Sequence, residues 1–209
     1  MNLENFKNKT AKILLEIKAI NIDIKKHFKL TSGKFSPVYV DCRKIISHLK
    51  ERRMIIDMAC KLLKKEVNLK KIDFIAGGET AGIPYASLLS EKLNKPMIYI
   101  RKKPKGFGKL SQIEGEIKKK SKVLLVEDLS TDGKSKINFC NAIKKAGGNI
   151  KDIFVIFNYG IYSDEIFRKN NLKLHFLTNW KAVINNLKKK KNFKKEEILE
   201  IEKFLFKDS

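Results

Sequence analysis

Apolar residues recur at helical spacing near the start of the chain. Leu3, Phe6, Ile13, Leu14, Ile17, Ile20 and Ile24 follow one another at intervals that predict an amphipathic helix over residues 3–24. Phe28-Lys29-Leu30, the Ser32-Gly33 turn signal and Pro37-Val38-Tyr39-Val40 read as a short hairpin. Helical spacing returns over 47–66, where Met54, Ile55, Met58, Leu62 and Leu63 are apolar. From residue 72 the texture changes. Short apolar runs at 72–76, 97–100, 122–126, 153–157 and 172–177 read as strands. Helical stretches over 80–93 and 133–146 stand between them, and Gly147-Gly148 supplies a C-terminal stop for the second. Residues 179–190 and 194–206 read as further helices. Residues 101–116 read as a polar loop holding Gly106, Gly108 and Gly115.

Strands that alternate with helices of this length imply βαβ units and a parallel sheet. The run Val123-Leu124-Leu125-Val126 is apolar at every position, as a strand covered on both faces requires. The expected fold class is therefore α/β, with a parallel-rich central sheet and flanking helices. The first 70 or so residues do not share the rhythm and read as an N-terminal hood and cap. The core would span about 71–180 and C-terminal helices about 181–209, within a single domain of 209 residues.

Composition narrows the function classes. Lys+Arg number 46 against 23 Asp+Glu, a formal charge of +23. Only Arg43, Arg52, Arg53, Arg101 and Arg168 are arginines, and the excess is spread along the whole chain as lysine. Nucleic-acid surfaces favour the guanidinium fork, so this pattern reads as compositional drift and not as a nucleic-acid interface. The run Lys188-Lys189-Lys190-Lys191 reads as a solvated helix end. No stretch approaches the roughly 18 apolar residues of a membrane helix. Charges occupy the place of a signal peptide's apolar core, and Cys42, Cys60 and Cys140 are too scattered for a disulfide framework or a zinc site. A cytoplasmic setting is expected. His27, His48 and His175 have no ligand-like spacing and read as structural, and Trp180 reads as core. Tyr39 is either a core residue of the hood or a wall against a base, with core preferred.

Ligands of open α/β sheets bind outside the carboxyl ends of the strands. Three loops leave such ends with unusual chemistry. In the first, the strand Val123–Val126 delivers Glu127 and Asp128. Leu129, Ser130, Thr131, Asp132, Gly133, Lys134 and Ser135 then open a helix. The first N–H groups of a helix lack intrahelical partners and favour an anion. Thr131, Gly133 and Ser135 are small enough to let a phosphate approach. The acidic pair can hold sugar hydroxyls, directly or through Mg²⁺. A helix cap alone needs one such residue, not an acidic pair and three hydroxyls. In the second loop, Arg101, Lys102, Lys103, Lys105 and Lys109 crowd a Gly/Pro-bearing segment that can close over a polyanion. In the third, Gly77-Gly78-Glu79-Thr80 can turn backbone N–H groups toward phosphate oxygens, although Gly-Gly also makes ordinary turns.

The segment 123–135 resembles the PRPP-binding signature of the type I phosphoribosyltransferases (PRPP, 5-phosphoribosyl 1-diphosphate). Three further segments extend the resemblance to the orotate phosphoribosyltransferase family. Leu30-Thr31-Ser32-Gly33-Lys34-Phe35-Ser36-Pro37-Val38-Tyr39-Val40-Asp41 is similar to its N-terminal Ser-Gly-x-x-Ser-Pro segment. Ala76-Gly77-Gly78-Glu79-Thr80-Ala81-Gly82-Ile83-Pro84 is similar to its pyrophosphate loop, and Arg101-Lys102-Lys103-Pro104-Lys105-Gly106-Phe107-Gly108 to the start of its mobile catalytic loop, in a recurring bacterial variant.

The resemblance implies transfer of phosphoribose from PRPP to orotate, with Mg²⁺ bound mainly through PRPP and no metal site of the protein's own. It implies Lys105 and Asp128 as catalytic residues. Arg101, Lys102, Lys105 and the segment Glu127 to Ser135 would bind PRPP, and Thr131 would also meet orotate. It further implies a homodimer in which Lys105 reaches the neighbouring active site, and no nucleic-acid or membrane partner. Thr31, Ala81, Phe107 and Tyr159 stand where many orotate enzymes carry Lys, Lys, His and an orotate-binding Arg, so base contacts transfer less directly than PRPP contacts. The alternatives are a phosphoribosyltransferase for a purine base and a non-catalytic PRPP-sensing regulator. The segment from Thr31 to Asp41 argues against the first; the absence of a helix-turn-helix before the sheet and the intact catalytic-loop pattern argue against the second.

Overall fold

The computed structural model describes residues 2–29, 33, 35–104, 111–161, 164–189 and 194–206. Helix α1 (Leu3–Glu16) opens the chain, its N-terminus capped by the Asn2 side chain. It is followed by β1 (Ile20–Ile22), β2 (Phe28–Lys29), β3 (Phe35–Ser36) and β4 (Val38–Val40). The helix is shorter than its apolar spacing predicts. Lys18 adopts a left-handed φ of 54°, and β1 pairs antiparallel with β4, Ile20 opposite Val40. Ile20, Ile22 and Ile24 fit a period of two as well as a period near four, and pairing with β4 selects the strand. The expected hairpin is split. β2 pairs with β3, whereas β4 turns away to β1. A 3₁₀ turn at Cys42–Ser47 leads into α2 (Leu49–Glu66).

The rest is a six-stranded sheet in the order β10-β9-β8-β5-β6-β7. Its strands are β5 (Phe74–Gly78), β6 (Met97–Ile100), β7 (Ile113–Glu114), β8 (Lys122–Ser130), β9 (Asn149–Asn158) and β10 (Lys173–Asn179). Every neighbouring pair is parallel except β6 with β7. The two-residue β7 lies inside the expected polar loop. Its pairing partner β6, not its own sequence, makes it a strand. Helix α3 (Gly82–Leu93) joins β5 to β6, and α4 (Lys134–Lys145) joins β8 to β9. The short α5 (Glu165–Lys169) precedes β10, and α6 (Trp180–Leu187) and α7 (Lys195–Phe206) follow it.

Alternation along β8 divides the interior. Leu124 and Val126 enter the apolar cluster that holds α1, α2, α3, α6 and α7, while Val123 and Leu125 enter the cluster with α4 and α5. Trp180 is fully buried in the first, edge-on to Phe157 and Tyr159. His175 is also buried. Its Nδ1 lies 2.7 Å from Glu66 Oε2 and its Nε2 2.8 Å from Asp152 Oδ1, which ties α2 across β10 to β9. The three cysteines are free and buried. Among the described residues no helix is long and apolar enough to cross a membrane.

After β5 the chain steps to β6 on one side, then returns as β8 on the other. The direction of winding therefore reverses between β5 and β8, where a doubly wound sheet opens a crevice. The His175 bridge fixes the far side of this frame. His175→Ala is expected to lower unfolding free energy by about 2–4 kcal/mol, because it leaves a cavity and two half-buried carboxylates without their partner. Urea unfolding measures it; a loss below about 1 kcal/mol would show that the bridge does not hold α2 to the sheet.

Candidate active site

A cleft of about 1580 Å³ opens at the β5–β8 crevice. One wall is the end of β8 and the start of α4. Another is the loop after β5, Glu79 to Pro84, whose Glu79–Thr80 peptide is cis. The hood supplies a third through Phe28, Phe35, Tyr39 and Arg43, and Tyr159, Ile161 and Phe204 close the far end.

Helix α4 begins at Gly133, which has φ 79° and no side chain to cap it. No acidic residue occupies its first turn. Asp132 Oδ1 accepts from the Lys134 N–H at 3.2 Å, and the N–H groups that follow, with the helix dipole, open beside Thr131 and Ser135, an arrangement that favours an anion. A Cβ at Gly133 would stand 2.6 Å from the Phe167 ring, so both its conformation and its packing exclude larger residues.

Among the predicted residues, Lys102, Glu127, Asp128, Leu129, Thr131, Asp132 and Ser135 line the cleft. Ser130 is fully buried behind them, and its Oγ has no hydrogen-bond partner among the described residues. Lys134 is exposed, its Nζ 3.5 Å from Asp132 Oδ2. Arg101 lies at the edge of the sheet with Nη1 3.7 Å from Glu114 Oε1. The Lys102 N–H donates to Glu79 Oε2 at 2.7 Å, which ties the start of the basic segment to the loop after β5. Lys105, Lys109, Phe107 and Thr31 lie outside the described residues. Tyr39, preferred as core, is instead half-buried and faces the cleft. Its ring lies beside Phe28, which also lines the cleft.

The chain resembles known proteins. The family described as "Phosphoribosyl transferase domain" matches residues 46–176. An orotate phosphoribosyltransferase of Rhizobium johnstonii is 44% identical over 195 residues, covering 93% of this chain and 85% of that relative. The chain belongs to the orotate phosphoribosyltransferase family. Among solved structures, the orotate phosphoribosyltransferase of Aeropyrum pernix superposes with a TM-score of 0.75 at 27% identity, over 86% of this chain and 98% of that one. The UMP synthase of Leishmania donovani gives 0.80 at 26%, over 95% of this chain and 42% of that one.

Lys136 is a site residue that the motif reading passed over. It is 5% exposed and lines the cleft. Its Nζ lies 3.4 Å from Glu127 Oε2 and 3.2 Å from Ser135 Oγ. Lysine carries little signal in so lysine-rich a chain. The available signal was positional: Lys136 shares the buried face of α4 with Phe139, Cys140 and Ile143 at helical spacing.

The glycines around Glu127 have a packing role. A Cβ at Gly78 or Gly82 would overlap Glu127 Oε1, so the carboxylate fits only because β5 and α3 present bare backbone there. Burial pushes the Glu127 carboxyl from its ordinary 4.5 up to about 7, against the pull of Lys136 and with help from the Asp128 charge. Burial raises Asp128 as well, while Lys136, the Leu129 N–H and Arg43 draw it down. Among the described residues no three ligating side chains converge to hold a metal. The hard carboxylate oxygens of the cleft fit a Mg²⁺ ion that arrives on a polyphosphate better than a resident ion.

A carboxyl raised on folding favours the folded state fully below its unfolded value and loses that contribution as the pH climbs through its folded value. For Glu127 the window runs from 4.5 to about 7. The unliganded protein should therefore lose a component of stability across that window, and Glu127→Gln should remove it. Urea unfolding at both ends of the window tests this; equal pH slopes in the two proteins would contradict it.

Proposed function

We propose that this chain transfers the 5-phosphoribosyl group of PRPP to orotate. The products are orotidine 5′-phosphate and pyrophosphate, the reaction serves de novo pyrimidine (UMP) biosynthesis, and the enzyme works as a cytoplasmic homodimer. The observation that carries the reading is the end of β8. An acidic pair and a helix N-terminus that opens at a glycine share one cleft at the sheet's reversal point, in a chain 44% identical to an orotate phosphoribosyltransferase.

In this reading the backbone and hydroxyls from Thr131 to Ser135 hold the 5′-phosphate. Glu127 and Asp128 accept hydrogen bonds from the ribose hydroxyls and so stand near the anomeric carbon as it becomes oxocarbenium-like. The Thr131 hydroxyl also reaches the base. Arg101 and Lys102 flank the pyrophosphate at the loop after β5, and Lys105, supplied by the partner subunit, faces the departing group. Glu127 and Asp128 would hold a Mg²⁺ ion carried by PRPP through the ribose hydroxyls, and such an ion would supply positive charge for the leaving pyrophosphate. Tyr39, Phe28 and Ile161 supply apolar surface that displaces water from the reacting bond.

The direct test is a spectrophotometric assay of orotate consumption with PRPP and Mg²⁺, run beside a panel of purine bases. Consumption of a purine base and not of orotate would overturn the assignment. Asp128→Asn is expected to lower turnover at least about tenfold while leaving the unfolding midpoint near that of the wild type. Full activity would remove Asp128 from the mechanism. If the sites are shared, mixing inactive Lys105→Ala and Asp128→Asn proteins restores activity, because one site in the heterodimer then holds both residues. A verified heterodimer without recovery would exclude the shared site.

A further inference from the structure

The proposed acceptor is a pyrimidine with an ionised carboxylate, so its site needs a cation that the phosphates and the acidic pair do not already occupy. Among the described residues the cleft is lined by four cationic side chains: Lys29, Arg43, Lys102 and Lys136. Lys136 is committed to Glu127. Lys102 belongs to the pyrophosphate side, through its backbone bond to Glu79. Lys29 is exposed on a two-residue strand and carries a flexible ammonium. At the opposite end of the cleft, where β9 ends, Tyr159 presents an aromatic ring and no charge.

Arg43 differs from the lysines in being oriented. It is the second residue of the 3₁₀ turn after β4, and its side chain is 57% exposed and lines the cleft. Its Nε donates to Asp41 Oδ1 at 2.6 Å and its Nη2 to Tyr39 Oη at 3.0 Å. Those two bonds fix the plane of the guanidinium. Among the described residues Nη1 and the second Nη2 proton have no hydrogen-bond partner, and together they can form a two-pronged contact, which matches a carboxylate. The Tyr39 ring stands next to the fork, so a flat heterocycle has an apolar face beside the charge. Arg43 and Asp128 line the same cleft. That places the fork close to the sugar end of the reaction, where the ring nitrogen of the acceptor must meet the anomeric carbon.

Resting on the orotate reading, we infer that Arg43 is a specificity-determining residue that receives the carboxylate of the pyrimidine acceptor, with Asp41 and Tyr39 as the positioning residues that hold its guanidinium. Arg43 is exposed, so its replacement leaves the core unchanged.

The experiment is steady-state kinetics of the full-length enzyme with the partner substrate saturating, together with competition by uracil, which lacks the carboxylate. A charged, two-pronged contact is worth about ten- to a hundredfold in affinity. Arg43→Gln should raise the KM for orotate by that factor and leave the KM for PRPP within about twofold. It should also erase most of the preference for orotate over uracil. Arg43→Lys, which keeps the charge and loses the fork, should fall between the two. Tyr39→Phe should share the direction with a smaller effect.

An unchanged KM for orotate in Arg43→Gln, or a defect confined to PRPP, would overturn the inference while the wild type still makes product. Wild-type protein that consumes no orotate would overturn the underlying reading instead. Circular dichroism melts accompany each variant. If Arg43→Gln does not fold, the orotate-to-uracil preference of Arg43→Lys decides.

Discussion

The contact between Lys136 and Glu127 governs how the site is built. Two opposite charges, each less than a tenth exposed, join the first turn of α4 to the end of β8. A lysine in the first turn of a helix opposes the helix dipole, so the nearby carboxylate offsets an unfavourable placement. Removing one partner of such a pair strands the other in a dry interior, at a cost of about 3–5 kcal/mol. The geometry reaches further. Glu127 must lie flat against β5 and α3, which is why Gly78 and Gly82 have no side chain. A glycine string that resembles a phosphate loop therefore also answers to the carboxylate behind it.

The same pair sets the electrostatic character of the cleft. Burial drives both carboxyls of β8 toward their neutral forms, and Lys136 pulls both back. Glu127, pushed up to about 7, can then keep or release a proton close to neutral pH, beside an Asp128 that burial also raises. The hood faces this pair across the cleft with an oriented arginine, and the loop after β5 faces it with Lys102. Positive charge therefore borders the cleft on several sides, with the two carboxylates of β8 between.

Much of this was legible in the sequence, for identifiable reasons. The runs that became β5, β6, β8, β9 and β10 are apolar because helices cover both faces, so no tertiary knowledge was needed to find them. The acidic pair followed by hydroxyls and glycine marked the site because helix N-termini and sugars make those demands locally. What stayed hidden depended on partners distant in sequence. Ile20 to Ile22 became a strand through β4, and Ile113 through β6. Lys136 and Arg43 were masked by composition, since one basic residue among 46 is distinguished only by what it touches. Tyr39 was hard to assign because a half-buried ring satisfies a core and a binding wall equally.

The cluster around Trp180 has a consequence for how the molecule is made. Helix α1 packs on α6 and β10, the Thr178 hydroxyl donates to the Lys7 carbonyl, and the Asn186 amide donates to that of Asn8. The first helix synthesised thus waits for elements about 170 residues later before its apolar face is covered. Contacts of such sequence separation must overcome the entropy of closing the intervening chain and form slowly. On a ribosome, β5 to β9 can begin to associate while α1 still exposes Phe6, Ile13 and Leu14 to solvent. The hood, which β1 and β4 anchor beside α1, would be the last wall of the cleft to settle, and a nascent chain would hold the end of β8 and the start of α4 before a cleft had closed around them.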